Sequence, residues 1–276
     1  MWVRWAIISF FVLKWNMFIL KKKKKIIVAN WKMNPKTARE AVSIFNKIRT
    51  HVFKLKNTKV VICPPAVFLN SFSFNKKSKS FALGAQDVFY EQQGAFTGKI
   101  SPLQLRDAGA NHVILGHSEM RASGETGEII AKKIGACIKY LITPIVCVGE
   151  INRDEEGRYM ALLRNQIHET FIGIPKTAIR KIVIAYEPVW AIGKDALREV
   201  TTEEARETII FIRKVLSEIF DHKLCQNATI LYGGSVSAKN AQEFLQHSYI
   251  DGFLVGRASL DPKEFIEILK TAEKVQ

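Results

Sequence analysis

At 276 residues, with 47% hydrophobic and 24% charged side chains, the chain has enough apolar content for one large core and too little polar bias for a disordered protein. Its cysteines, Cys63, Cys137, Cys147 and Cys225, lie far apart with no CxxC pair, which argues against a disulfide scaffold or a cysteine metal site and fits a reducing cytoplasm. The formal net charge of +15 leaves two kinds of partner: a polyanion or anionic membrane, or a small anionic substrate drawn in by the field.

Much of that charge is local. Residues 1–25 carry Arg4, Lys14 and Lys21 to Lys25 with no acid, +7 of the total, and the remainder keeps +8. The apolar run Trp5 to Leu13 has signal-peptide length but is interrupted by Lys14 and Asn16, and no small-residue cleavage site follows. A spanning helix needs about 20 predominantly apolar residues, so the segment is marginal for that purpose. The lysine run after it has the look of a stop-transfer flank. The preferred reading is a hydrophobic, Lys-rich extension over residues 1–23 outside a fold that occupies 24–276. An over-long start, with Met17 as initiator, is one form of that reading. Membrane association through residues 1–25 ranks second.

From Lys24 onward, β-branched runs alternate with helix-patterned stretches. The runs are Ile26–Asn30, Val60–Cys63, Phe81–Gln86, His112–Gly116, Thr143–Val148, Ile182–Glu187, Ala228–Tyr232 and Gly252–Val255. They are almost continuously apolar, as strands buried on both faces are. Amphipathic stretches such as Ala38–Phe53, Glu125–Tyr140 and Thr201–Phe220 separate them, and Thr201 with Glu204 has capping-box spacing. A last helix opens with Asp261 as N-cap, Pro262 at the first helical position and Glu264 three residues after the cap. Alternation of this kind predicts parallel pairing, and eight units predict an α/β fold, a single (β/α)8 TIM barrel. An open doubly wound sheet would want a glycine fingerprint after its first strand; that position reads NWKMN. No linker or repeat divides the chain.

In such a barrel the chemistry sits where strands end. The first strand ends in Asn30-Trp31-Lys32, the fourth in Gly116-His117-Ser118-Glu119 and the sixth in Glu187. The seventh runs into Gly233-Gly234-Ser235 and the eighth into Gly256-Arg257-Ala258-Ser259. A lone histidine or lysine after a strand is ordinarily structural or solvated; five clusters sent to one mouth are not so easily dismissed. Gly233, Gly234, Ser235 and Gly256 offer main-chain N–H groups for an anion. No residue has metal-ligand spacing, and no serine or cysteine sits in a nucleophile motif. Proton abstraction beside a carbonyl remains, with Glu187 as base, His117 polarising the oxygen and Lys32 supplying positive potential. The substrate itself is not specified by these residues.

Over Lys24 to Val275 the chain resembles the triosephosphate isomerase family. The resemblance rests on IIVANWKMN (26–34), GAQDVFYEQQGAFTGKIS (84–101), VILGHSEMR (113–121), CVGE (147–150), AYEPVWAIG (185–193), LYGGSV (231–236) and DGFLVGRASL (251–260). It implies cofactor-independent interconversion of dihydroxyacetone phosphate and D-glyceraldehyde 3-phosphate. Glu187 would carry the proton, and His117 would act as a neutral imidazole whose cationic form a helix N-terminus disfavours. Lys32 and Asn30 would orient the enediolate, supported by Ser118 and Glu119. Phosphate would rest on the N–H groups of Gly193, Ser235, Gly256 and Arg257, with Gly234 beside them. Pro188 to about Ala196 would be a lid, and Gln86 to Ser101 a loop inserted into a partner subunit with Thr97 at its tip, which implies a homodimer.

Four departures from the family pattern stand out: the trailing hinge reads Lys194-Asp195-Ala196 with about two extra residues before Thr201, Arg257 replaces a common glycine, Lys99 and Met120 replace an interface ion pair, and Asp87 replaces an asparagine. A nucleic-acid-binding role is disfavoured because Lys76, Lys77 and Lys79 show no interleaved aromatic residues. A different phosphate-binding barrel isomerase would have to match NWKMN and AYEPVWAIG by chance.

Overall fold

The computed structural model describes residues 23–72, 80–154, 156–193, 196 and 198–275. Residues 1–22 with the alternative start at Met17, the lysines at 76, 77 and 79, and Lys194 and Asp195 of the trailing hinge lie outside the described residues. Lys23 is described, and its Nζ donates to Asn227 O at 3.0 Å and lies 3.4 Å from Asp251.

Strand β1 (Lys25–Asn30) leads through helix α1 (Ala38–Val52) to β2 (Thr58–Cys63), and β3 (Phe81–Ala85) leads through α2 (Pro102–Asp107) to β4 (Ala110–Leu115). The short α3 (Ser118–Ala122) and longer α4 (Gly127–Lys139) precede β5 (Thr143–Val148); α5 (Arg158–Thr170) precedes β6 (Val183–Tyr186). Helices α6 (Thr202–Ile219) and α7 (His222–Cys225) lead to β7 (Thr229–Tyr232), α8 (Ala241–His247) to β8 (Gly252–Val255), and α9 (Pro262–Lys274) ends the order. Every neighbouring pair is parallel and β8 returns to β1, so the sheet closes into the expected (β/α)8 barrel.

The near-continuous apolar runs follow from burial on both sides of the wall. Val28, Val61, Ile114, Ile145, Leu231 and Leu254 fill the barrel interior. Residues of opposite parity, such as Ile27, Ala29, Val60 and Ile62, pack outward against the helices in a second cluster. Helix starts obey the sequence signals. Thr201 Oγ1 accepts from Glu204 N–H, and Glu204 returns a carboxylate to Thr201 N–H, closing the capping box. Asp261 caps α9 by accepting from Lys263 N–H. Glu264 does not fold back on this cap; it accepts from Ala238 N–H at 2.7 Å and so ties α9 to the loop after β7.

Strand ends differ from the sequence expectation in one consistent way. Strands β3, β4 and β6 stop at Ala85, Leu115 and Tyr186, one residue before Gln86, Gly116 and Glu187. Gly116 turns to φ +64°, outside the β region. Gln86 uses its side-chain amide on Lys32 O and Cys63 O instead of continuing the ladder.

Candidate active site

Glu187 follows β6 with its N–H still donating to Val148 O at 2.9 Å, and Pro188 then bars further pairing. The backbone is gripped on both sides by positions that admit no side chain. A Cβ on Gly149 would lie 1.8 Å from Glu187 O, and one on Gly233 would lie 2.9 Å from Glu187 Cγ. The carboxylate is thereby aimed along the barrel wall, 3% exposed, with few positions open to it. Oε2 accepts from Ser118 N–H at 3.2 Å, and Oε1 lies 3.2 Å from His117 Nε2.

His117 is the N-cap of α3, and its Nδ1 accepts from Glu119 N–H at 3.2 Å. An acceptor at Nδ1 carries no proton, so the neutral ring bears its hydrogen on Nε2, the nitrogen that faces Glu187. Glu119 also takes Lys32 Nζ at 2.7 Å. Burial works to raise the Glu119 pKa, but the Lys32 ammonium outweighs it and holds the carboxyl below its usual range. Lys32 itself sits at φ +51°, a left-handed conformation costly for a side chain of this size. That turn is held by Asn30 Oδ1, which accepts from Lys32 N–H at 3.0 Å, and by Gln86, which donates to Lys32 O at 2.8 Å.

Asn30, Lys32, Glu119, His117, Ser118 and Glu187 thus form one connected chain of polar contacts across the ends of β1, β4 and β6. The glycine loops lie against it: Gly233 N–H donates to Tyr186 O at 2.7 Å, and a Cβ on Gly256 would touch Lys32 Cε at 3.9 Å. Ser235 Oγ donates to Ala191 O at 3.0 Å, joining the loop after β7 to the segment after Glu187. Gly234 packs over Tyr232, whose hydroxyl would lie 2.2 Å from a Cβ there. Gly193 takes φ +87° in open space. Arg257 opens the short helical turn Arg257–Leu260 with an exposed side chain, outside the polar chain. Thr97 lies apart from the cluster on a segment, residues 91–100, that is exposed throughout.

Several residues here were named in no role by sequence reasoning. Gln86 is one. Glu150, the last residue of CVGE, is another: buried, its Oε1 accepts from Tyr186 OH at 2.9 Å and Trp190 Nε1 at 2.8 Å. Arg121 is a third, with Nε donating to Gly116 O and Nη2 to Cys147 O, which braces the turn that presents His117. Cys147 lies beside Glu187; burial foremost, and then that carboxylate, push its thiol pKa far up, so it serves as inert packing. Only Gln86 carries a local signal, a polar residue set immediately after an apolar strand; Glu150 and Arg121 stand further from their strand ends and carry none. Of the departures, Asp87 finds a partner in the ammonium of Lys133, which Glu125 shares, and Lys99 lies 5.8 Å over the Phe89 ring. Among the described residues no group of His, Cys, Asp and Glu is arranged to hold a metal ion.

A carboxylate facing a neutral imidazole N–H, an ammonium beside them and glycine loops at two neighbouring strand ends are suited to moving a proton next to a carbonyl in an anionic substrate. Known proteins are similar to this chain over nearly its whole length. The family model described as triosephosphate isomerase matches residues 25–272. A triosephosphate isomerase from Dictyoglomus thermophilum is 43% identical over 251 residues, spanning 90% of this chain and all of the relative. One from Dictyoglomus turgidum is 42% identical over 253 residues, with 90% and 100% covered, and one from Dehalococcoides mccartyi is 43% identical over 253 residues, with 91% and 98% covered. Barrel, site and sequence agree, and the chain belongs to the triosephosphate isomerase family.

Proposed function

We propose that this chain interconverts dihydroxyacetone phosphate and D-glyceraldehyde 3-phosphate without a cofactor, and that the residues of the connected polar chain divide the work as follows. Glu187 takes a proton from the carbon next to the substrate carbonyl and returns it to the neighbouring carbon. His117 donates its Nε2–H to the carbonyl oxygen as negative charge develops there, and Lys32 adds positive potential. Asn30 and Gln86 keep Lys32 in its strained turn; Ser118 and Glu119 hold His117 and Lys32 in register. The phosphate rests on N–H groups of Gly193, Gly234, Ser235, Gly256 and Arg257.

In the ligand-free arrangement Glu187 is occupied by Ser118 N–H and His117. Substrate therefore requires the carboxylate to turn off Ser118 towards the carbon, which releases His117 Nε2–H for the oxygen. Lid closure by Pro188 to Ala196 expels water around that step. The observation that carries the reading is the Glu187–His117 contact with its tautomer fixed by Glu119 N–H.

A homodimer completes the proposal. The segments after β1, β2 and β3 carry Met33 at 94% exposure, Val67 at 81%, Phe96 and Ile100, and the helix that follows, α2, adds Leu103. Apolar exposure so concentrated fits a subunit interface, with Thr97 delivered to the partner's site. The barrel's place is the cytoplasm.

Replacing Glu187 by Gln keeps volume and removes the base. In a dehydrogenase-coupled assay the rate is expected to fall by about 10³-fold or more, with the circular dichroism spectrum unchanged. A variant that retains wild-type turnover would remove Glu187 from the role. Sedimentation at working concentration is expected to give twice the chain mass.

A further inference from the structure

Exposed apolar side chains occur at both ends of the barrel, and the second set has no part in the site. Phe53, Leu141, Ile172 and Tyr249 are 58%, 69%, 64% and 64% exposed. Each lies in a segment that leads from a helix into a strand: before β2, β5, β6 and β8. In a closed parallel barrel all such segments share the N-terminal end, opposite the catalytic mouth.

Two of the four are placed there against the backbone's preference. Leu141 has φ +58° and Tyr249 φ +55°, the left-handed region where glycine or asparagine is at ease. A fold seeking only stability would put neither a leucine nor a tyrosine there. Both are largely exposed, and among the described residues the one ring contact of Tyr249 is the Arg206 guanidinium 5.7 Å over it, itself a basic neighbour of this face.

The same end is basic. The described segments leading into the strands contain eight lysines and arginines, among them Lys54, Lys56, Lys176, Arg180 and Lys181, and two acids, Asp221 and Asp251. Asp251 is already engaged by Lys23 and Arg213, and Asp221 caps α7. Finally, Lys23 meets the barrel on this face, beside Asn227 and Asp251. Residues 1–22, by sequence an apolar stretch with basic residues, therefore join the barrel at the end that carries the exposed apolar residues and the excess of cations.

We propose that the N-terminal end of the barrel docks on an anionic lipid surface. Leu141, Tyr249, Phe53 and Ile172 enter the headgroup boundary, and the surrounding lysines and arginines pair with lipid anions. Tyrosine and the long basic side chains suit that boundary, having apolar stems and polar tips. The catalytic mouth faces away from the lipid and stays open to a soluble substrate. Sequence alone ranks membrane association second; the barrel face supplies a second contact that does not depend on residues 1–22 spanning anything.

The test uses the full chain. All four native cysteines are buried, so Leu141→Cys, Tyr249→Cys and Ile151→Cys are labelled selectively with an environment-sensitive fluorophore. Ile151, 70% exposed in the segment after β5, reports the opposite end. On phosphatidylserine-containing vesicles bearing an acyl-chain quencher, labels at 141 and 249 are expected to be quenched and the label at 151 spared. Equal quenching at all three, or none at 141 and 249, overturns the proposal. The wild-type chain is expected to float with phosphatidylserine vesicles and not with pure phosphatidylcholine; equal flotation removes the electrostatic part. No flotation, with salt-sensitive binding to duplex DNA instead, replaces lipid by nucleic acid. The double variant Leu141→Gly, Tyr249→Asn relieves the backbone strain, so it folds. It is expected to bind vesicles about tenfold more weakly at unchanged isomerase rate. Unchanged affinity refutes the role of this face.

Discussion

Leading and trailing ends of the lid are held by chemically different anchors. At Pro188–Ala191 the holding group is Glu150, buried, with Oε1 accepting from Tyr186 OH and Trp190 Nε1 and its own carbonyl accepting from Val189 N–H. At Arg198–Thr201 it is Glu204, a surface residue of the α6 cap, whose two carboxylate oxygens take Arg198 Nη1 and Nη2 at 2.8 and 2.6 Å. Arg198 in turn lies 4.7 Å over the Trp190 ring, so the trailing anchor rests on the leading one. A buried charged acceptor with two neutral donors is costly to disturb, because every partner is stranded when it goes. An exposed ion pair exchanges its partners for water at little cost. If residues 188–196 act as the proposed lid, its end next to Glu187 is the firmly held one and its end towards Arg198 the one more readily released.

The comparison breaks most directly at Glu150. Burial raises its pKa, with the Trp190 and Tyr186 donors opposing, and Oε2 has no hydrogen-bond partner. Glu150→Ala strands two buried donors and leaves Arg153 Nη1, now 3.8 Å away, without that carboxylate. It is expected to lower unfolding free energy by about 3 kcal/mol or more in urea titrations. It should also cut kcat, because the strand end that aims Glu187 loses its neighbour. If Glu150→Ala is no more damaging than a change at Arg198, the two ends are equivalent and the contrast is void. Trp190→Phe is the milder probe. It keeps the ring under Arg198 and deletes one N–H to Glu150, so about 1–2 kcal/mol is expected, with a larger effect on kcat/KM than on the circular dichroism spectrum.

These two ends were unequally legible in the sequence. AYEPVWAIG showed the strand and the place where it stops because both are local: an apolar run, then a carboxylate and a proline that stops pairing. The barrel was legible for the same reason, since period, caps and doubly buried strands are properties of neighbouring residues. Glu150 appeared only as the last letter of a motif, because its partners Tyr186 and Trp190 stand 36 and 40 positions away. The same holds for Gln86, whose acceptor Lys32 O lies 54 positions back, and for the exposed leucine and tyrosine at left-handed positions. Contacts across the barrel and the sign of φ leave no local pattern. Strand ends were read one residue long at Gln86, Gly116 and Glu187, because where the chain leaves the sheet is set by turns and side-chain contacts, such as φ +64° at Gly116 and the bonds of the Gln86 amide, that no local pattern announces.

Arg198→Ala is expected to have the smallest effect, and its pH dependence identifies the anchor. Arg198 foremost, with burial opposing and Thr201 N–H assisting, holds the Glu204 pKa down at about 2. An unfolded glutamate titrates at about 4.3, so the folded group is the stronger acid. The stability this carboxylate contributes is thus present in full above the unfolded value and is lost as pH falls towards the folded one. Near neutral pH, Arg198→Ala should lower the melting temperature by no more than about 2 °C, as for an exposed ion pair. That difference should shrink as pH is lowered from about 5 to 2, where wild type and variant both lose the charge. The Trp190→Phe difference should begin to shrink at higher pH than the Arg198 one, since burial raises the pKa of its acceptor Glu150 and that carboxylate is protonated before Glu204. Matching melting curves of the three proteins against pH separates a surface clamp from a buried one. A Trp190→Phe difference that fell in step with the Arg198 one, over the same pH span, would make both ends a single anchor centred on Glu204.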